Sequence, residues 1–188
     1  MKITPLLLTL LFLAAPAYAQ VSVMVDESTD GLIAVQVNAL IEAPTEVVWE
    51  VLTDYEHLAG FVPNMQSSRV VSAPGAPLRV AQKGETDFLV YRFPLEVVFE
   101  IESVPLQEVK FHAVSGNLHA MEGTYRLEAA GKNTRLNYSA HFRPDFWVPP
   151  LIGPSIMQAQ ITRQFDGLLM EVASRNAART QNGIKIAH

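Results

Sequence analysis

The chain has 188 residues, a formal net charge of −5 and no cysteine. That length suits one domain with a substantial core, and the acidic balance argues against a nucleic-acid ligand, which calls for a basic patch. The absence of cysteine excludes disulfides, a thiolate metal site and a lipid anchor attached through an N-terminal cysteine.

The opening stretch, MKITPLLLTLLFLAAPAYAQ, carries Lys2, an uncharged run from Leu6 to Ala15, and the small-x-small pattern Ala17-Tyr18-Ala19. This is the layout of a cleaved secretory signal, and the run falls short of the roughly 20 residues a bilayer crossing needs. The expected organisation is a signal peptide over 1–19, cut after Ala19, followed by a single domain over 20–188 in the periplasm or secreted. Removing one lysine and no acid moves the charge from −5 to −6. No internal repeat, low-complexity tract or linker divides the remainder.

Val21 to Val25 is apolar and β-branched, and Ile33, Val35 and Val37 can share one face of a second strand. The Asp30-Gly31 pair between them predicts a hairpin. Pro44 suits the first turn of a helix, and Glu46 its positive end. Val47, Val48, Val51 and Leu52 then form a stripe, with Trp49 on its flank and Tyr55 extending it. The connection that follows carries Leu58, Phe61, Val62 and Met65. So much apolar surface in one loop predicts either a cap on the sheet or one wall and the mouth of a cavity, with the loop as its gate.

A run of strands comes next, at 68–73, 78–86, 88–103, 108–116, 121–130 and 134–142. Turn signals at Pro74-Gly75, Gly116-Asn117 and Gly131-Lys132-Asn133 separate them. Pro94 inside the third predicts an edge, a bulge or a break. Consecutive short strands with no helix between them predict an antiparallel sheet. After a proline-rich corner holding Phe146-Trp147, a packing plug or an exposed contact patch, Gly153 and Pro154 open one long helix reaching about Arg179. Ile161, Phe165, Leu168, Leu169 and Val172 form its apolar stripe. The final QNGIKIAH is expected to fray.

This order, and the words in IEAPTEVVWEVLTDYEHLAGFVPNM (41–65), resemble the START-like, or SRPBCC, superfamily, in particular its polyketide-cyclase and coenzyme-Q-binding branch. The shared elements are Ala-Pro at the strand end, Val-Trp in the helix, Leu-x-Asp-Tyr, and Phe-x-Pro. The resemblance covers about residues 32–179. It implies an α+β helix-grip fold, a curved antiparallel sheet wrapped around the long C-terminal helix, with a hydrophobic cavity between them. Members bind lipids, quinones, sterols or polyketides, and a minority catalyse reactions on them.

Candidate lining residues are Trp49, Tyr55, Phe61, Met65, Phe88, Tyr91, Phe99, Phe111, Phe142, Gln158, Ile161, Gln164 and Phe165. Gln158 and Gln164 flank the helical stripe; each either bonds sheet backbone or solvent, or donates to a ligand. Catalytic and metal residues are read as none. His57, His112, His119 and His141 are scattered, and neither a Gly-x-Ser-x-Gly elbow nor a phosphate loop occurs. His112 and His119 across a hairpin, or Asp54 with Arg143, are the best candidates for acid–base chemistry. The expected function is binding or transport of a hydrophobic small molecule without a cofactor, with transient membrane-surface contact and no nucleic-acid partner. The alternative is a cyclase- or hydrolase-type enzyme using the same cavity. A third reading is an interaction protein with a filled core.

Overall fold

A computed structural model describes residues 20–27, 31–88, 91–144 and 153–186, without the side chains at 20, 27, 86–88, 91, 119, 144 and 183–186. The signal sequence and Phe146-Trp147 therefore lie outside the described residues.

Strands β1 (Gln20–Glu27) and β2 (Ile33–Ile41) form the expected antiparallel hairpin, with Val23 opposite Val37. β2 alternates strictly between buried and exposed, so Ile33, Val35, Val37, Ala39 and Ile41 all enter the core. Pro44 stands at the N-cap of helix α1 (Thr45–Thr53) rather than inside its first turn. Its extended backbone suits the restricted ring, and its carbonyl accepts from the amides of Val47 and Val48. The predicted stripe of Val47, Val48, Val51 and Leu52 is buried. The buried Thr134 hydroxyl donates to the Ala43 carbonyl at 2.8 Å, which ties this corner to the late strand that pairs with β2.

A single 3₁₀ turn at Leu58–Gly60 leads into β3 (Met65–Val70), which starts earlier than the expected 68 and stops at Val70. The strands β4 (Leu78–Phe88), β5 (Tyr91–Val104), β6 (Glu108–Gly116), β7 (Leu118–Ala130) and β8 (Asn133–Pro144) follow. Every neighbouring pair is antiparallel, and the order is β1-β2-β8-β7-β6-β5-β4-β3. The stretch read as one strand from 88 contains the β4–β5 junction, and Phe88 pairs with Tyr91.

Pro94 lies well inside β5, opposite Glu85. It is tolerated because β6 pairs with β5 only from Val97 onward. On that open side Asn117 takes the place of a strand: its amide nitrogen donates to the Pro94 carbonyl at 2.7 Å, and its oxygen accepts from the Glu96 amide at 3.0 Å. The N–H that proline lacks would have pointed to the same side, so no ladder bond is lost.

Helix α2 (Gly153–Ile186) has 34 residues and continues past Arg179, so the expected frayed tail is helical to Ile186. No proline follows Arg179, and a lone glycine costs a helix only about 1 kcal/mol. At about 1.5 Å per residue the rod approaches 51 Å. Phe165, Leu168 and Val172 are buried, and Ile161 and Leu169 pack partly buried beside them. α2 lies against α1 and β1 and across the concave face of the sheet, which is the helix-grip arrangement. No described helix is long and apolar enough to cross a membrane.

The buried apolar side chains fall into two clusters. The larger joins β1, β2, α1, the loop and α2; the smaller holds Val97, Phe99, Phe111 and Ala140. Between them the sheet and helix do not meet fully.

Candidate ligand-binding cavity

The gap is a cavity of about 270 Å³. α1 supplies Leu52, and the loop after it supplies Tyr55, Leu58, Val62 and Asn64. Met65 opens β3 at the same wall. The sheet adds Val35, Val97, Phe99, Phe111, Tyr125, Tyr138 and Phe142, and α2 closes the space with Met157, Gln160, Ile161, Gln164, Phe165 and Leu168. The floor is aromatic. Phe111 meets Phe99 edge-on at 5.1 Å between centroids, Tyr125 and Tyr138 stand 4.6 Å apart, and Tyr138 meets Phe165 of α2 at 5.3 Å.

Strand register explains this floor. One row across the sheet runs Val109, Tyr125, Tyr138, Val37; the next runs Phe111, Gly123, Ala140, Val35. The second row places two small residues beside Phe111. A Cβ on Gly123 would collide with the Phe111 ring and stand 2.7 Å from the Ser139 carbonyl. The ring occupies the space that the glycine leaves.

Polar side chains concentrate where the cavity meets solvent. Lys83 and Glu85 of β4 are lining residues with exposed heads, and they engage Glu96 (2.9 Å) and Gln66 (2.7 Å). Gln164 on the facing helix is exposed. Gly84 between the two charged residues allows the Asn64 carbonyl to accept from the Glu85 amide at 3.0 Å, because a Cβ there would come within 2.6 Å of that oxygen. The loop is thereby stitched to β4.

Of the thirteen residues chosen from sequence, Tyr55, Met65, Phe99, Phe111, Phe142, Ile161, Gln164 and Phe165 line the cavity. Phe88 and Tyr91 have side chains outside the described residues. Three stand elsewhere. Trp49, off the α1 stripe, packs against the main core, and α1 reaches the cavity through Leu52 instead. The Phe61 ring lies under the Arg175 guanidinium at 5.7 Å, outside the lining. Gln158 donates to the Val23 carbonyl at 2.9 Å, because β1 is an edge strand whose outer backbone needs partners. Sequence reasoning missed Tyr125, Tyr138, Gln82 and Gln160. Alternation around the buried Leu127 and Leu136 was the available signal for the two tyrosines.

The acid–base candidates lie outside the lining. Asp54 is bound by His57 and Arg175, not by Arg143, which is exposed. His112 faces Glu122 across the outer side of the sheet, and His141 pairs with Glu122 at 3.0 Å. They border a polar hollow of about 480 Å³ on the face opposite α2. His119 has no described side chain. Among the described residues no group of three or more His, Asp or Glu could hold a metal ion.

A family model described as polyketide cyclase/dehydrase and lipid transport matches residues 41–176. The chain belongs to that family. Its fold is the START-like helix-grip fold. This polyketide cyclase/dehydrase family member is similar to a solved protein of Thermus thermophilus, with a TM-score of 0.62, 21% identity, and coverage of 76% of this chain and 98% of that one. It is also similar to the Zhui aromatase/cyclase from a Streptomyces species (TM-score 0.59, 16% identity, 79% and 96% covered). A START superfamily protein from Mycobacterium smegmatis is similar too (TM-score 0.64, 12% identity, 75% and 97% covered). At these identities the likeness establishes the fold alone. No curated protein matches the chain.

Proposed function

We propose that the protein is an exported carrier or binding protein for a hydrophobic small molecule, held between the sheet and α2 and delivered without chemical change. The observation that carries this reading is the cavity of about 270 Å³ itself, apolar along its floor and polar at its rim. Space of this kind costs stability when empty and regains contacts when filled. Export rests on the signal-like residues 1–19, and the periplasm suits a chain without cysteine.

The enzymatic alternative needs an acid or base facing the guest. His112, His141, Asp54 and Arg143 all lie outside the lining, and the charged groups that do line it, Lys83 and Glu85, are engaged at the rim by Glu96 and Gln66, which favours binding over catalysis.

Native mass spectrometry of protein purified from its own cell envelope tests the reading. A co-purified apolar molecule, and a thermal shift with lipids or quinones, are expected. An empty protein with no shift across those classes overturns it. A chemically altered guest after incubation would favour the enzyme.

A further inference from the structure

Three phenols meet inside the cavity. Tyr55 follows α1, Tyr125 lies on β7, and Tyr138 lies opposite Tyr125 on β8. Among the described residues no protein group accepts a hydrogen bond from their hydroxyls. Yet among the same described residues no buried side-chain oxygen or nitrogen lacks a partner. Both statements hold together when the phenol oxygens open onto the cavity space. The three groups are close enough to act on one another, since charge on Tyr55 opposes ionisation of Tyr125, and charge on Tyr125 opposes that of Tyr138. Burial pushes Tyr55 up to about 12 and raises Tyr125 and Tyr138 as well. All three therefore stay protonated at physiological pH and remain donors.

Unspent O–H donors in an apolar floor carry a desolvation cost that a guest can relieve. The complementary group is an acceptor. Among the described lining residues the cation is Lys83, which is paired with Glu96 at the rim, so an anionic guest oxygen would find no counter-charge at the tyrosines.

We propose that Tyr55, Tyr125 and Tyr138 form the specificity-determining donor patch of the cavity, selecting apolar guests that carry an uncharged acceptor oxygen such as a ketone or quinone carbonyl. The proposal rests on the reading that the cavity holds an apolar guest.

Equilibrium dialysis with 2-acetonaphthone, 2-ethylnaphthalene and 2-naphthoate tests it. The first two differ by a carbonyl in place of a methylene. The full protein is expected to bind the ketone about tenfold more tightly than the hydrocarbon, against the greater hydrophobicity of the latter, and more tightly than the anion. Tyr125→Phe with Tyr138→Phe keeps the rings and should bring ketone and hydrocarbon within about twofold while hydrocarbon affinity holds. The single variant Tyr55→Phe, which leaves both floor tyrosines in place, should lower the ratio partway. Equal or better binding of hydrocarbon or naphthoate by the unaltered protein overturns the proposal, whatever the variants do. So does a ratio unchanged in well-folded Phe variants. If none of the three probes binds, the cavity reading itself fails and the donor patch falls with it.

Discussion

Arg175 of α2 donates from Nη2 to the Asp54 carboxylate at 2.7 Å, joining the long helix to the residue that caps α1. The same guanidinium donates from Nε to Glu171 at 2.7 Å and covers the Phe61 ring. One side chain thus fixes both ends of the cavity loop. Arg175→Met should destabilise the fold by about 1–2 kcal/mol, since it removes charge-assisted bonds from a mostly shielded site. Arg175→Lys should recover less than half, because an ammonium lacks the planar fork and the stacking face. Urea denaturation reads both, and a neutral Arg175→Met would show that the clamp contributes nothing.

The clamp also sets an acid limit. His57, first, and then Arg175 hold the Asp54 carboxyl below its ordinary value near 3.8. A depressed folded value means that this stabilisation is complete above the unfolded pKa and disappears as pH falls through the folded one. The stability gap between the unaltered protein and Asp54→Asn should close as pH falls below 3.8 and through the folded value. A gap that widens on acidification would reverse the assignment.

Gly167 sits on α2 where the loop crosses it. A Cβ there would collide with the Phe61 carbonyl and stand 2.6 Å from the Pro63 ring. In a free helix Gly→Ala gains up to about 1 kcal/mol. Here Gly167→Ala should lower Tm and speed amide exchange from Phe61 to Met65, because the loop must lift. A raised Tm with unchanged exchange would mean that the loop moves aside without loss.

Gly123 carries the floor. Gly123→Val would drive a branched side chain toward the Phe111 ring and the Ala140 methyl, and overpacking of this kind costs about 1–3 kcal/mol. Chemical denaturation should show that loss.

Filling the cavity separates binding from folding. Ile161→Trp puts a larger apolar group into the space from α2, and affinity for any apolar probe should fall at least about tenfold while stability changes by less than about 1.5 kcal/mol. Unchanged affinity with an intact fold would place the guest elsewhere.

Local pattern made the elements legible. The alternation of Ile33, Val35 and Val37, and the stripe Val47-Val48-Val51-Leu52, each report one buried face, and each is buried. The strand run and closing helix, with the resemblance at 41–65, were enough for the helix-grip fold. What the sequence withheld depends on register and on contacts between distant segments. Tyr138 faces Tyr125 only once β7 and β8 are aligned. Phe61 is drawn to Arg175 by a helix more than half the chain away. Gln158 sits beside an apolar stripe by spacing, yet its direction is set by an unpaired carbonyl on an edge strand.

Leu58 and Val62 line the cavity, and both are also buried in the same cluster as Val37, Val47 and Val51. The segment that walls the hollow is therefore also part of the core packing. Any passage that parts it from α2 also wets residues on which the whole molecule depends, so uptake and release share their activation barrier with partial unfolding. Residence times governed this way shorten steeply on warming, and a membrane or partner that eases the segment outward would hasten delivery without altering how firmly the cargo is held at equilibrium.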